Sequence, residues 1–313
     1  MADTAIEAEA LVKRYGRGRT AKTALFGLNL TVCRGEVFGF LGPNGAGKTT
    51  TIRLMLDLIR PTSGRLTVLG ADPRDAVATR AHIGYLPGDF TVDGRQSGRE
   101  LLGYLAGLRG GVPEKRINTL VERLDLDPTR RISALSKGNR QKLGVVQAFM
   151  HTPDLLVLDE PTSGLDPLLQ HQFVALVAEA AAHGQTVFMS SHMLSEVQQT
   201  CHRVAVIRDG ALVTVADVDE LREQAQRRVE IAFAGPVAPE EFEQLPGLRG
   251  VTVTTSPTGG TTLHATLAGS PDPLVKTAAR HTVNSLRAEE PELEELFLGY
   301  YQQHTDKEEA AAP

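Results

Sequence analysis

One run of nine residues has the composition of a phosphate-binding loop. Gly42-Pro43-Asn44-Gly45-Ala46-Gly47-Lys48-Thr49-Thr50 fits the pattern G-x-x-x-x-G-K-[ST] in full. Glycines let backbone N–H groups wrap a phosphate chain, and the lysine adds a positive charge that reaches the terminal phosphates. The Thr49 hydroxyl is an oxygen ligand of the kind that Mg²⁺ prefers. These residue types predict a site for a nucleoside triphosphate and Mg²⁺, with a chance glycine-rich turn as the alternative.

Two carboxylates end a second apolar run. Leu155-Leu156-Val157-Leu158 is followed directly by Asp159 and Glu160. Beside a phosphate-binding loop, an aspartate at a strand end can hold Mg²⁺ through water, and the next glutamate can polarise an attacking water. Asp159 is therefore a predicted metal residue together with Thr49, and Glu160 a predicted catalytic residue. A solvated acidic pair at a strand end is the alternative, which spacing alone leaves open.

Three further positions could complete such a site. Ser136, with Gly138, precedes a helical repeat of apolar residues, so it suits an N-cap, and the helix start could bind an anion. A capped helix without a ligand explains this pattern equally well. His192 stands at the end of a predicted strand at 186–192, where a single histidine is more often structural than catalytic. Tyr15 follows the first strand-like run and could either stack on adenine or lie on the surface.

The surrounding elements predict an α/β protein. The apolar run at 37–41 indicates a buried strand before the loop, and Ile52, Met55, Leu56 and Ile59 indicate a helix that Pro61 ends. Alternating apolar residues at 6–12 and 28–32 favour an antiparallel edge sheet, with a basic glycine turn at 13–19. Segments 97–107 and 114–124 have the apolar spacing of helices inserted between strands.

The C-terminal part of the sequence starts a new pattern. A charged stretch at 217–226 reads as a linker or short helix, and the segments after it follow the order β-α-β-β-α-β. This order predicts a small split-βαβ domain of the ferredoxin-like kind. The predicted divisions are a nucleotide-binding domain at 1–216, an accessory α+β domain at 217–300 and a polar tail at 301–313.

Composition narrows the function classes. The 313 residues include 33 basic and 38 acidic side chains, a net charge of −5, which is not typical of a nucleic-acid-binding protein. Its two cysteines lack the spacing of a metal site. No run of about 18 apolar residues occurs, so no membrane span is predicted.

Taken in order, these motifs resemble the ATP-binding subunit of ABC (ATP-binding cassette) transporters over residues 5–215. The resemblance implies that Asp159 and Glu160 are the Walker B aspartate and the catalytic glutamate, and that His192 is the switch histidine. It also implies that Ser136 and Gly138 contact the γ-phosphate of ATP held by a second subunit. The nucleotide-binding positions that it implies are Tyr15, Gly42, Pro43, Asn44, Gly45, Ala46, Gly47, Lys48, Thr49, Thr50, Ser136, Gly138 and Asp166.

Two stretches depart from the usual family pattern. Lys137 and Asn139 replace the third and fifth residues of the leucine-serine-glycine-glycine-glutamine signature. Gly88 and then Asp89 stand where the family usually has the Q-loop glutamine. The signature and the Leu86-Pro87-Gly88 run are similar to the subgroup that serves ABC-2-type exporters of the daunorubicin and tetronasin kind. The apolar segment at 293–298 resembles the terminal helix of that subgroup.

The resemblance implies an ATP-hydrolysing motor subunit with ATP and Mg²⁺ as cofactors. Two copies would dimerise around two ATP molecules at the cytoplasmic face of the cell membrane and drive a separate permease that exports drugs, antibiotics or other hydrophobic compounds. Nucleic acid is not an expected partner. The alternatives are a soluble cassette ATPase that acts on ribosomes or nucleic acid, and a regulatory module without turnover. Soluble cassette ATPases of the first kind commonly carry two cassettes in one chain, and this sequence has one. The presence of both Glu160 and His192 argues against a regulatory module without turnover.

Overall fold

A computed structural model describes residues 3–75, 77–220, 227–255 and 259–289. The chain divides into two compact units, the first ending at Ala216 and the second beginning at Asp217. The strands are β1 Thr4–Tyr15, β2 Lys22–Cys33, β3 Val37–Leu41, β4 Ser63–Val68, β5 Ile83–Leu86, β6 Leu155–Asp159, β7 Thr186–Ser191, β8 Arg203–Arg208, β9 Ala211–Asp217, β10 Arg227–Phe233, β11 Leu248–Thr255, β12 Thr261–Leu267 and β13 Val283–Glu289. The helices are α1 Lys48–Met55, α2 Val77–Arg80, α3 Gly98–Leu108, α4 Glu114–Arg123, α5 Lys137–Phe149, α6 Pro167–Ala182, α7 Leu194–Thr200, α8 Glu240–Glu243 and α9 Asp272–Ala278.

A six-stranded sheet with the order β5-β6-β7-β3-β8-β9 forms the centre of the first unit. Its first five strands pair in parallel. Strands β3, β6 and β7 are buried along their whole length, as apolar strands covered on both faces should be. Because parallel strands end at the same edge of a sheet, the segments that follow β3, β6 and β7 come together. This arrangement confirms the predicted α/β fold.

A three-stranded antiparallel sheet, ordered β2-β1-β4, lies beside this core, as the alternating residues predicted. Strand β1 is longer than predicted, because Lys13 pairs with Leu25 and Tyr15 with Lys22. The predicted turn from residue 13 is therefore wrong in its first part, and Tyr15 is the last residue of β1. Both sheets share one core cluster, which includes Ile6, Phe38, Phe40 and Phe188.

Helix α1 ends six residues before Pro61, so the prediction that it continues to that proline is wrong. Asp57 has a φ of 57°, and the Leu58 N–H donates to the Arg53 carbonyl at 2.9 Å. A left-handed residue directly after a helix stops it and satisfies its last carbonyls. Asp57 also pairs with Arg60 at 2.9 Å, which favours this turn.

The predicted inserted helices are present as α3 and α4. Ser97 caps α3 through a capping box, since its hydroxyl accepts from the Glu100 N–H and the Glu100 carboxylate accepts from the Ser97 N–H. No helix in the described parts of the chain is long and apolar enough to cross a membrane.

The second unit contains a four-stranded antiparallel sheet with the order β11-β12-β10-β13. Helix α8 connects β10 to β11, and α9 connects β12 to β13, which gives the predicted element order β-α-β-β-α-β. Its core includes Ile231, Phe233, Phe242 and Leu263. The predicted terminal helix at 293–298, the tail at 301–313 and most of the linker at 217–226 lie outside the described residues.

Candidate functional site

The glycines of the loop at 42–50 have different reasons to be glycine. A Cβ on Gly42 would lie 2.3 Å from the Ile207 carbonyl oxygen, so packing excludes any side chain there. Gly47 precedes α1 with a φ of 113°, and its Cβ would lie 2.9 Å from Leu25. Gly45 has a φ of 83°, but a Cβ there would meet nothing within 4 Å. The loop is thus packed from behind and open at Gly45, as a cradle for a phosphate requires.

Lys48 is the first residue of α1, and its side chain turns back into the loop. Its Nζ donates to the Gly42 carbonyl at 2.6 Å and to the Pro43 carbonyl at 3.2 Å. The same Nζ lies 3.4 Å from Oε1 of Glu160, and the lysine is only 5% exposed. A buried ammonium needs such oxygen partners, so its charge is fixed beside the N–H groups of the loop and of the α1 N-terminus.

Thr49 and Asp159 bring two oxygen ligands together at the end of β6. The Thr49 hydroxyl donates to Oδ2 of Asp159 at 2.9 Å. The Ser190 hydroxyl, which is fully buried, donates to Oδ1 of the same carboxylate at 2.5 Å. One carboxylate and one hydroxyl beside a phosphate loop are a donor set that fits Mg²⁺. Ser190 holds this predicted metal residue from behind, as outer partners commonly do in metal sites.

Glu160 stands next to Asp159 in a strained backbone conformation. Its φ is 46°, which is costly for a residue with a side chain and typical of functional sites. Its N–H donates to the backbone carbonyl of Ser190 at 3.1 Å, which holds this turn. Oε2 of Glu160 lies 3.4 Å from Nδ1 of His192, and the two side chains are 26% and 48% exposed. A partly exposed carboxylate held in this way can accept a proton from water.

Tyr15 reaches the same loop from the other sheet. Its hydroxyl lies 3.5 Å from the Thr50 hydroxyl, in the first turn of α1. Lys13 places its Nζ 5.0 Å from the centre of the tyrosine ring and donates to the Arg60 carbonyl at 2.7 Å. One face of the ring is therefore covered by a cation. The structure brings Tyr15 to the phosphate loop, as a base-stacking residue would require.

The signature residues Ser136 and Gly138 lie at the start of α5 and not at the loop at 42–50. The Ser136 hydroxyl accepts from the Asn139 N–H at 3.2 Å and caps α5, which confirms the predicted N-cap. A Cβ on Gly138 would lie 2.9 Å from the Gly164 carbonyl oxygen, so α5 begins against the loop at 163–166. Asp166 caps α6 by accepting from the Leu169 N–H at 3.1 Å. Ser136 and Asp166 are both exposed.

Gly88, at the position where the family usually has glutamine, lies directly against Asp159, the predicted metal residue. A Cβ there would be 3.4 Å from the Asp159 carbonyl oxygen and 3.7 Å from its Oδ2. A longer side chain at position 88 would therefore begin beside the Asp159 carboxylate. Because residue 88 is a glycine, it places no side chain beside Oδ2 of Asp159.

The residues that sequence reasoning missed are small polar groups at the end of β7 and one carboxylate on α7. Ser190 contacts both Asp159 and Glu160. Glu196 accepts hydrogen bonds from Thr162 and Ser191, and burial is the main cause that raises its pKa. The only sequence signal was Ser190-Ser191 after the apolar residues of β7, where buried hydroxyls need partners.

Comparison with known proteins identifies the same family that the sequence motifs resemble. The model of the ABC transporter family matches residues 25–163. The daunorubicin resistance ATP-binding protein DrrA3 of Streptomyces coeruleorubidus is 38% identical over 262 residues, covering 82% of this chain and 82% of that protein. The bacitracin transport ATP-binding protein BcrA of Enterococcus faecalis is 35% identical over 246 residues, covering 76% of this chain and 78% of that protein.

A solved structure of the ATP-binding subunit of an ABC transporter has a TM-score of 0.63 and 29% identity. The similarity covers 70% of this chain and 92% of that one. A structure of the ATP-binding cassette MJ0796 bound to ADP and Pi has the same TM-score at 20% identity, covering 68% of this chain and 98% of that one. At that identity the likeness concerns the fold.

Proposed function

The chain belongs to the ABC transporter family, and on this premise we propose that it is the ATP-driven motor subunit of an exporter. Two copies bind two ATP molecules between them and act on a separate membrane permease. ATP binding and ATP hydrolysis follow from the family. The roles of individual residues, Mg²⁺, the dimer, the permease and the exported compounds are parts of the proposal.

The observation that carries the proposal is the meeting of three strand ends around Lys48. The lysine follows β3, Glu160 follows β6 and His192 follows β7, and they form a chain of contacts at 3.4 Å from Lys48 to Glu160 and from Glu160 to His192. Asp159 and Thr49 lie beside them, joined at 2.9 Å. A cation, two metal-ligand oxygens and a carboxylate base at one edge are the parts that phosphoanhydride hydrolysis needs.

Each side chain has a defined part in this reaction. Bound ATP supplies the bond to be cleaved, and Lys48 binds its phosphate oxygens. Thr49 and Asp159 would hold Mg²⁺, which would neutralise charge on the phosphates. Glu160 accepts the proton of the attacking water, and its strained backbone, tied to Ser190, keeps its carboxylate in place. His192 steadies that carboxylate from the exposed side.

The dimer is proposed from the position of the signature residues. Ser136 lies exposed at the start of α5, and its hydroxyl bonds to Asn139 of its own helix. Asp166 is exposed in the neighbouring loop. A second copy can use this helix start to cap the phosphates that the first copy holds, because a helix N-terminus favours anions. ATP then joins the subunits and hydrolysis releases them, which gives a two-state motor.

The export function is proposed from the relatives. Their names describe daunorubicin resistance, bacitracin transport and Nod factor export. We infer efflux of drugs, antibiotics or other hydrophobic compounds through a permease that this chain contacts at the cytoplasmic face of the membrane. No specific observation favours the alternative of a soluble cassette that acts on ribosomes or nucleic acid.

A fractionation experiment tests this assignment. The full chain is expressed alone and together with its proposed permease, and the membrane, ribosome and soluble fractions are separated. We expect the chain in the membrane fraction only when the permease is present. If the chain expressed alone is found in the membrane fraction, it does not need a permease to reach the membrane, and the proposal of a peripheral subunit is wrong. If it sediments with ribosomes, the alternative function replaces the proposed one.

A further inference from the structure

We propose that Glu196 is a positioning residue for ATP hydrolysis: its carboxylate fixes the loop after Glu160 to the turn that carries His192. The inference rests on the proposed function and concerns the same site. Glu196 itself contacts neither Lys48 nor the metal residues among the described hydrogen bonds and ion pairs, so it acts through its neighbours.

The carboxylate of Glu196 joins two different loops. It lies in the first turn of α7, where Oε1 accepts from the Thr162 hydroxyl and Oε2 accepts from the Ser191 hydroxyl at 2.6 Å. Thr162 belongs to the loop after β6, and Ser191 is the last residue of β7. Thr162 and Ser191 are only 6% and 1% exposed, so bulk water cannot replace the carboxylate as the acceptor of their hydroxyl groups. An ionised acceptor makes both bonds stronger than bonds between neutral groups.

On the β7 side, this contact fixes the turn around His192. The Ser191 hydroxyl accepts from the Met193 N–H at 2.9 Å while it donates to Glu196. His192 is the one residue between these two, so the backbone on both sides of it is held. A change in the Ser191 rotamer would release the Met193 N–H and move His192.

On the β6 side, the contact fixes the turn that Glu160 begins. The Ser163 N–H donates to the Glu160 carbonyl at 3.1 Å, and the Leu165 N–H donates to the Thr162 carbonyl at 3.0 Å. Thr162 lies inside the first of these turns and begins the second. Its bond to Glu196 therefore holds the strained Glu160 backbone against relaxation.

Together, the two sides determine how Glu160 meets His192. The strand ends are joined at Ser190, whose carbonyl accepts from the Glu160 N–H, and Glu196 adds a second connection further out. The 3.4 Å approach of the Glu160 carboxylate to His192 lies between these two connections. Loss of the outer one allows the two loops to move apart, and small displacements of a base reduce its efficiency strongly.

A carboxylate in the first turn of a helix can also serve the helix alone, through the helix dipole. The chain offers a matched control for that role. Glu100 occupies the first turn of α3 and accepts from the Ser97 hydroxyl at 2.9 Å and from the Ser97 N–H at 2.7 Å. It makes the same kind of bonds on an element that carries none of the proposed catalytic side chains.

The test compares Glu196→Gln with Glu100→Gln in the full chain. The amide keeps the shape but removes the charge, and its NH₂ group cannot accept from a hydroxyl. For Glu196→Gln we expect kcat for ATP hydrolysis to fall at least about tenfold, with the KM for ATP and the nucleotide affinity within about twofold of wild type. Glu100→Gln should keep the wild-type kcat. Thr162→Val removes one of the two donors and should also lower kcat. It takes the place of Glu196→Gln in this test if Glu196→Gln does not fold.

Combination with Glu160→Gln separates this inference from the proposed function. Because Glu196 acts through Glu160 and His192, adding Glu196→Gln to Glu160→Gln should reduce the remaining hydrolysis by less than about twofold. An unchanged kcat in Glu196→Gln, or losses of kcat and ATP affinity that match a lowered unfolding temperature, would overturn the positioning role. If Glu160→Gln itself leaves hydrolysis intact, the proposed catalytic assignment fails instead.

Discussion

Ser190→Ala is a sharp test of the site, because the structure gives the contacts that it removes. The Ser190 hydroxyl is fully buried and donates to Oδ1 of Asp159 at 2.5 Å. The Glu160 N–H keeps the backbone carbonyl of residue 190 as its acceptor, at 3.1 Å. The substitution therefore removes the hydrogen bond to a buried carboxylate and a longer bond, at 3.2 Å, from the Glu160 N–H to the Ser190 hydroxyl. It leaves no backbone donor unpaired, and the bond to the carboxylate contributes about 1.5–3 kcal/mol.

We expect the free energy of unfolding to fall by about that amount in urea denaturation without nucleotide. The loss of an outer partner of a metal ligand should also raise the Mg²⁺ concentration needed for half-maximal ATP hydrolysis by about 10–100-fold. Thr186→Val is the matched control. Its hydroxyl is buried at the other end of β7 and accepts from the Gly35 N–H at 3.0 Å. It should lower stability without changing the Mg²⁺ requirement.

An unchanged Mg²⁺ requirement in Ser190→Ala, together with wild-type stability, would refute the idea that Ser190 orients Asp159. A changed Mg²⁺ requirement in Thr186→Val would show instead that any loss of stability affects the metal site.

Three further changes test other parts of the account. Lys48→Ala should abolish tight ATP binding in an equilibrium titration, because the phosphates lose their charge partner, and an unchanged affinity would refute the loop assignment. Gly45→Ala should fold, at a cost of about 1–2 kcal/mol for its positive φ, whereas Gly42→Ala should prevent folding in circular dichroism because of its 2.3 Å contact with a carbonyl oxygen. A chain that ends at Ala216 should keep its ATP affinity, since the proposed nucleotide-binding residues precede that point. Lost affinity in a chain that is still folded would contradict this.

The sequence predicted the features that local rules decide. The strand before the loop, the helix after it, the strand that ends at the two carboxylates and the cap at Ser136 all depend on residues near one another in the chain. The parallel order of β6, β7 and β3 then brings the predicted residues together. Apolar periodicity failed at α1, where the left-handed Asp57 stops the helix before Pro61 does.

Contacts between neighbouring strands were not accessible to sequence reasoning. Ser190 meets Asp159 because these two residues are opposite each other in the register of β6 and β7, although 31 positions separate them. Glu196 meets Thr162 across 34 positions because β6 and β7 end side by side, which brings the loop after β6 against the helix after β7. No spacing pattern in one chain predicts such pairs, because the pairing depends on how two strands align. The contact of Gly88 with Asp159 became visible only in the fold.

Glu160→Gln shows whether Glu160 is the catalytic base and whether ATP joins two copies, through its ATP affinity, its rate of hydrolysis and its assembly. The amide keeps the size of the side chain but cannot accept a proton from water. We expect wild-type ATP affinity, a turnover at least about 100-fold slower, and an ATP-bound dimer that elutes as one species in size exclusion with ATP and Mg²⁺. Hydrolysis at the wild-type rate would move the base elsewhere, and a chain that binds ATP tightly but stays monomeric would contradict the two-subunit motor.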